Sequence, residues 1–150
     1  MLAELAVALS GKTDTSPQLS TTQAVGIPLQ RRGNHFMVTA SPSRQRSIRL
    51  LIDTGASLTM LAPEVFEQRG IRYKNSGRSE IFNTANGPVR APVYILDTLT
   101  VGDSQVSQLE VGVLSMPADA NMDGLLGMNF LRHFQFFIDQ NEALLRLSSH

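Results

Sequence analysis

Asp53-Thr54-Gly55-Ala56-Ser57 holds the side chains best placed to do chemistry. A hydrophobic strand delivers them: Ile48, Leu50 and Ile52 alternate with Arg49 and Leu51, and the run stops at Asp53. A strand that ends in an acid, a hydroxyl and a glycine aims a carboxylate out of a rigid sheet into a tight turn. Gly55 permits close backbone approach there, and the Thr54 and Ser57 hydroxyls can orient the acid. A carboxylate fixed in this way can exchange a proton with a bound water. The pentapeptide occurs once in 150 residues.

Two further segments fit around that turn. In Asp123-Gly124-Leu125-Leu126-Gly127, two apolar residues followed by glycine predict a short buried strand with a sharp exit. Such a strand can pass beneath the Asp53 turn, with Gly127 where no side chain fits. Thr84-Ala85-Asn86-Gly87 lies between strand-like Glu80 to Asn83 and Val89 to Tyr94. Asn-Gly marks a hairpin tip, and a tip without core-directed residues suits a lid over a cleft. The remaining acids read more plainly. Asp123 is ordinary turn chemistry ahead of an apolar strand; Asp97, Asp103 and Asp139 are solvated caps at strand ends; Glu64 and Glu67 belong to a helix start. Asn129 either holds the Leu-Leu-Gly turn or begins a helix. Phe36, Phe82, Phe134, Phe136 and Phe137 read as core and interface packing, and Met60, Met116, Met122 and Met128 as gap-fillers.

The elements that must position these residues are strands. From Val25 onward, turn signals recur every eight to twelve residues and apolar spacing is mostly two, which predicts an all-β domain over 25–150. Strands are predicted over Gly26–Gln30, His35–Ala40, Ser47–Ile52, Glu80–Asn83, Val89–Val101, Gln108–Leu114, Phe134–Asp139 and Ala143–Leu147. Ser41-Pro42-Ser43 reads as the turn after the second of these. Helices are predicted over Ala62–Gln68, with Pro63 in the first turn, and over Met128–His133. Residues 1–24 read as an N-terminal arm or linker, because Gly11 to Pro17 is polar and buries little. Leu2 to Leu9 is too short to span a bilayer and lacks the basic start of a signal peptide. The chain is thus either made without a leader or a domain of something longer.

Composition excludes several classes. Thirteen basic residues balance thirteen acidic ones, which points away from nucleic acid as a partner. Absence of cysteine removes disulfides, thiolate zinc sites and a thiol nucleophile. His35, His133 and His150 are scattered without ligand spacing, so no metal site is expected.

Asp53-Thr54-Gly55-Ala56-Ser57 together with Leu125-Leu126-Gly127-Met128-Asn129 resembles the retropepsin-like, single-domain aspartic peptidases. The likeness spans about residues 26–147 and is closer to bacterial and cellular members than to retroviral ones. It implies a closed-barrel-like fold with one or two short helices and a flap hairpin, a homodimer, attack of water on peptide bonds and no cofactor. By the same resemblance, Asp53 is the catalytic acid, and Thr54 hydrogen-bonds across the dimer axis. Ser57 bonds an outer oxygen of Asp53, and Thr84 to Gly87 form the flap tip. Retroviral members carry an acid at the position of Ser57 and an arginine at that of Met128, which form an ion pair near the interface. Both are absent here, and the Phe134 to Leu147 hairpin is longer than their single terminal strand, so a different interface is expected. Bacterial membership also admits a soluble domain forming the periplasmic part of a longer membrane-anchored protein.

Hydrolysis by this route needs two carboxyls around one water, one ionised as general base and one protonated to polarise the scissile carbonyl. Two carboxyls about 3 Å apart do not both ionise but share a proton, the arrangement of which aspartic proteases are the standing example. With one acid-bearing turn per chain, a two-fold axis must supply the second. Extended peptides with apolar side chains near the cut are the expected substrates, with a mildly acidic optimum. The alternative is a catalytically silent binding or assembly module on the same fold.

Overall fold

Strands dominate residues 25–150, the part of the chain that the computed structural model describes; the arm expected over 1–24 lies outside it. Eleven strands and two one-turn helices follow in order: β1 (Val25–Pro28), β2 (Gln30–Arg32), β3 (His35–Ser43), β4 (Arg46–Ile52), β5 (Thr59–Leu61), α1 (Pro63–Phe66), β6 (Tyr73–Thr84), β7 (Gly87–Val101), β8 (Ser104–Val113), β9 (Gly124–Leu126), α2 (Met128–Leu131), β10 (Phe134–Asp139) and β11 (Leu144–Ser149). The all-β expectation holds.

The larger sheet runs β2-β3-β4-β9-β5-β8-β7-β6, and a contact of Ser41 with Thr100 joins β3 to β7. That contact closes six strands into a barrel. Alternation along β4 turns Ile48, Leu50 and Ile52 into the barrel, where they meet Val38, Leu61, Leu99, Val111 and Leu126. Leu50, Leu61, Leu99 and Leu126 are fully buried, and burial of each such side chain stabilises the fold by about 1.5–3 kcal/mol. A second sheet, β1-β11-β10, lies outside the barrel and turns Leu145 and Leu147 into the same core.

Several elements differ from expectation. Ser41-Pro42-Ser43 is strand, not turn; the chain reverses at Arg44-Gln45 instead. The β3–β4 register shifts between Ala40 and Ser43, and a bulge of this kind accommodates a proline because the ladder is interrupted there. β6 begins at Tyr73, well before Glu80, since its polar first half is held by β7 and by no apolar face of its own. β5 is short, fully buried and without alternation, so it carries no period-two signal. The first helix is a single turn over Pro63–Phe66, shorter than Ala62–Gln68, and the second ends at Leu131.

Candidate active site

Asp53 stands at the end of β4, where its backbone N–H donates to Leu126 O at 3.0 Å. The strand beneath is β9, parallel to β4 with Leu50 beside Gly124, Leu51 beside Leu125 and Ile52 beside Leu126. On its other side β9 runs antiparallel to β5, which places both ends of the acid-bearing loop on one strand. The Asp53 carboxyl is fixed locally: Oδ1 accepts from the Gly55 N–H at 3.0 Å. Asp53 itself is half-buried, whereas Thr54, Gly55 and Ser57 are exposed. Among the described residues Ser57 Oγ makes no hydrogen bond, so within one chain Gly55 rather than Ser57 holds the acid.

Gly127 seals the loop from below. A Cβ there would lie 2.6 Å from Leu58 O and 2.9 Å from Ala56 O, so no larger residue fits without moving backbone. The first turn of α2 continues the seal, with Met128 N–H donating to Ala56 O and Asn129 N–H to Ser57 O. Asn129 then does more than begin a helix. Its Oδ1 accepts from the Thr59 N–H at 2.8 Å and from Thr59 Oγ1 at 2.9 Å, while its Nδ2 donates to Glu110 O at 2.7 Å. Thr59 Oγ1 in turn accepts from the Gly127 N–H at 3.1 Å. Thr59 and Asn129 are the buried polar side chains of the core, and they satisfy each other. Thr59 carried no signal in the sequence, because its partners lie about seventy residues downstream.

Asp123 proves structural. Its Oδ2 accepts from the Arg49 N–H at 2.8 Å, its own N–H donates to Arg49 O, and its carbonyl accepts from the Ala62 N–H. It therefore clips the loop before β9 onto β4 and the end of β5.

The β6–β7 hairpin crosses above. Thr84 pairs with Gly87 around the tip residues Ala85 and Asn86, and Gly87 alone of these takes a positive φ, +103°. Thr84 Oγ1 donates to Gly87 O at 2.6 Å and accepts from the Asn86 N–H at 3.2 Å, which braces the tip. Ile81, Phe82 and Asn83 of this arm share with Asp53, Ser57 and Leu125 a pocket of about 290 Å³. Phe82 lies against β8, where its ring approaches to 2.7 Å the point at which Gly112 would carry a Cβ. A second cavity of about 500 Å³ continues under the tip and shares Met60, Asn83 and Leu125 with the first. Its walls include Val89, Leu114, Met116 and Met122, so three of the methionines read as core filler line a cleft instead. The structure thus gathers Asp53, Gly55, Ser57, Thr84, Ala85, Asn86 and Leu125 around two adjoining cavities, with Leu126 and Gly127 packed beneath the acid-bearing turn. Thr54 lies outside them.

Charge near the hairpin is concentrated in one cluster. Arg78 on β6 reaches across β7 to both carboxylate oxygens of Glu110 on β8, at 3.2 and 2.7 Å, and also to Glu80 at 2.9 Å. The hydrogen bonds from Arg78 hold the Glu110 carboxyl below the usual carboxylate range, and those to Glu110 and Glu80 hold the guanidinium still more firmly protonated. Among the described residues no group of three or more His, Cys, Asp or Glu side chains could hold a metal ion, and no helix is long and apolar enough to cross a membrane.

Comparison with known proteins agrees with this geometry. Residues 38–133 match the family model described as "gag-polyprotein putative aspartyl protease". An uncharacterized protein of Rickettsia prowazekii (strain Madrid E) is 30% identical over 129 residues, 83% of this chain and 53% of that protein. An uncharacterized protein from the cobV 5′ region of a Sinorhizobium species is 33% identical over 107 residues, 70% of this chain and 44% of that one. The chain spans about half the length of these curated relatives. Among solved structures, a retropepsin-like aspartic protease from Rickettsia conorii superposes with a TM-score of 0.59 at 25% identity, covering 83% of this chain and 89% of that one.

Proposed function

The chain belongs to the retropepsin-like aspartyl protease family, and from that premise we propose that it is an aspartic endopeptidase working as a homodimer. The observation that carries the reading is the Asp53 carboxyl, braced by Gly55 at the mouth of a cleft whose roof is the β6–β7 hairpin. Asp53 from each of two copies forms the dyad. One, ionised, takes a proton from the bound water as its oxygen attacks the scissile carbonyl carbon; the other, protonated, donates to the carbonyl oxygen. The tetrahedral intermediate collapses when the C–N bond breaks and the leaving nitrogen takes up a proton from the dyad. Thr54, exposed on the outer side of the turn, bonds across the two-fold axis, and Ser57 steadies the outer carboxylate oxygen once the second copy is in place.

The hairpin tip, Thr84 to Gly87, acts as the flap. An extended peptide adds a strand between flap and floor, and its apolar side chains enter the cavity lined by Met60, Val89, Met116, Met122 and Leu125. Leu125, Leu126 and Gly127 support the site from below. The dyad must share one proton, so the rate is highest at mildly acidic pH.

The test is cleavage of a mixed peptide library from acid to neutral pH by the wild type and by Asp53→Asn. Cuts beside apolar residues, lost by at least about 10²–10⁴-fold in the variant, are expected. No cuts by a well-folded wild-type dimer would replace this reading with that of a binding module.

A further inference from the structure

The end of the barrel opposite Asp53 carries charge that the proposed chemistry leaves unused. β4 starts at Arg46 and delivers Asp53 seven residues later, so at about 3.3 Å per residue the two ends lie roughly 23 Å apart. At the Arg46 end, the β3–β4 turn, the loop before β6 and parts of β7 and β8 enclose a cavity of about 560 Å³. Arg44, Arg72 and Asp97 line it, together with Gln45, Thr98 and Gln105. A second cavity, of about 250 Å³, shares Arg72 and Asp97 with the first and adds Tyr73, Lys74 and Gln108. Arg46 Nε donates to Arg69 O at 3.3 Å, which ties the start of β4 to the loop before β6. The two linings thus hold three cations and one acid. Arg44, Arg72 and Lys74 are exposed, and among the described residues none of them forms a salt bridge, whereas Arg78 forms two. The neighbouring segments add Glu67 and Asp103 but also Arg46 and Arg69, so the excess of positive charge stands. Asp97 is engaged on one side: Oδ1 accepts from the Gln108 amide at 3.1 Å, and among the described residues Oδ2 accepts from none. Gln108 reaches it from a left-handed backbone, φ +54°, which a residue with a Cβ keeps only where its surroundings hold it. Tyr73 stacks on Tyr94 at 5.1 Å and stays 43% exposed beside Lys74.

We propose that these two adjoining cavities bind an extended acidic peptide, at a site separate from the Asp53 cleft. Carboxylates of the peptide pair with the Arg44 and Arg72 guanidinium groups, and one of its backbone N–H groups donates to Asp97 Oδ2. The mixture of groups decides between ligand classes. A polyphosphate offers acceptors alone, so Asp97 repels it. A peptide alternates N–H with C=O and so meets cations, amides and a carboxylate in one lining. The Tyr73 ring gives the apolar stems of glutamate side chains a surface to lie on. The site is built from one chain and lies far from Asp53, so it depends neither on a dimer nor on turnover. In an active peptidase it holds a substrate by a segment remote from the cut.

The test uses the full Asp53→Asn chain, so that turnover plays no part, and dye-labelled peptides read by fluorescence anisotropy. A short Glu-Ser repeat is expected to bind, and its Gln-Ser counterpart to bind at least about tenfold more weakly. Raising ionic strength from about 0.01 to about 0.15 M cuts the screening length from about 30 to about 8 Å and should weaken binding several-fold. Arg44→Gln and Arg72→Gln should each weaken it about two- to fivefold, with Arg72→Lys in between. Arg132→Gln removes the same charge outside both cavities and should leave it unchanged. Asp97→Asn separates the ligand classes: it should weaken the Glu-Ser peptide but strengthen inorganic tripolyphosphate, for which it removes a like charge. Amide shifts on titration should centre on Gln45, Gly70 and Thr98 and spare Gly55 and Ala85. Equal affinity in the Arg72→Gln and Arg132→Gln chains, or shifts centred on Gly55, overturns the site. Tighter peptide binding by Asp97→Asn replaces the peptide with a general polyanion. So does displacement by tripolyphosphate or a single-stranded oligonucleotide at lower concentration than unlabelled peptide needs. No binding of the Glu-Ser peptide at about 1 mM overturns the proposal outright.

Discussion

Three residues decide whether the acid-bearing turn can exist, and none of them bears the acid. Gly127 gives the turn room, since Leu58 O and Ala56 O occupy the space any Cβ would need. Thr59 and Asn129 then replace water for the buried N–H groups of Gly127 and Thr59. Gly127→Ala therefore forces backbone apart at the floor of the site. We expect a loss of about 1–3 kcal/mol in unfolding free energy, read from the urea midpoint at unchanged m-value. Cleavage should fall further than stability predicts, because the displaced segment carries Ala56 and Ser57. A full loss of stability with intact specific activity in the folded fraction would show that the floor does not position the site. Asp53 and Gly127 were legible in the sequence because a tight turn and a close approach each demand a residue type. Thr59 was not: a threonine in Thr-Met-Leu looks like any strand residue until Asn129 arrives from about seventy positions away.

At the scale of elements, the hairpin over the site is braced within its tip by Thr84 and clasped to the neighbouring sheet part-way along β6. Arg78 spans β7 to grip Glu110 on β8, next to the bulge in β6 where Gly77 takes a positive φ of +83°. The grip has a direction in pH. Glu110 has its carboxyl pKa lowered from an ordinary value of 4.5 by the Arg78 hydrogen bonds, so the folded state favours its ionised form. That contribution is fully present above the ordinary carboxylate range and is lost as pH falls through the lowered value. Amide exchange along Tyr73–Thr84, corrected for intrinsic rates, should therefore quicken as pH drops below that range. Glu110→Gln should exchange faster at neutral pH, by a factor of roughly two to five for so exposed a pair, and lose the pH dependence. Equal exchange in both proteins at every pH would mean that the clasp does not restrain the hairpin. The tip was legible through Asn86-Gly87 but the base was not, since Lys-Asn-Ser-Gly-Arg-Ser has no apolar alternation and becomes strand only against β7. Pro42 misled in the opposite sense, marking a bulge that closes the barrel where a turn was expected.

On the mechanism proposed for this chain, each copy supplies the one Asp-Thr-Gly acid of its sequence, so catalysis would be a property of pairs. Mixing then becomes a quantitative assay. When wild-type chains exchange freely with Asp53→Asn chains, a wild-type chain finds a wild-type partner only in proportion to their share of the pool. Activity per wild-type chain should fall to about half at equal amounts and to about a tenth at ninefold excess of the variant, if both carboxyls are needed. Dilution of the wild type alone should lower specific activity by the same mass action. Activity that ignores the excess of Asp53→Asn would instead place a complete catalytic centre in one chain, and the dyad across a two-fold axis would have to be abandoned.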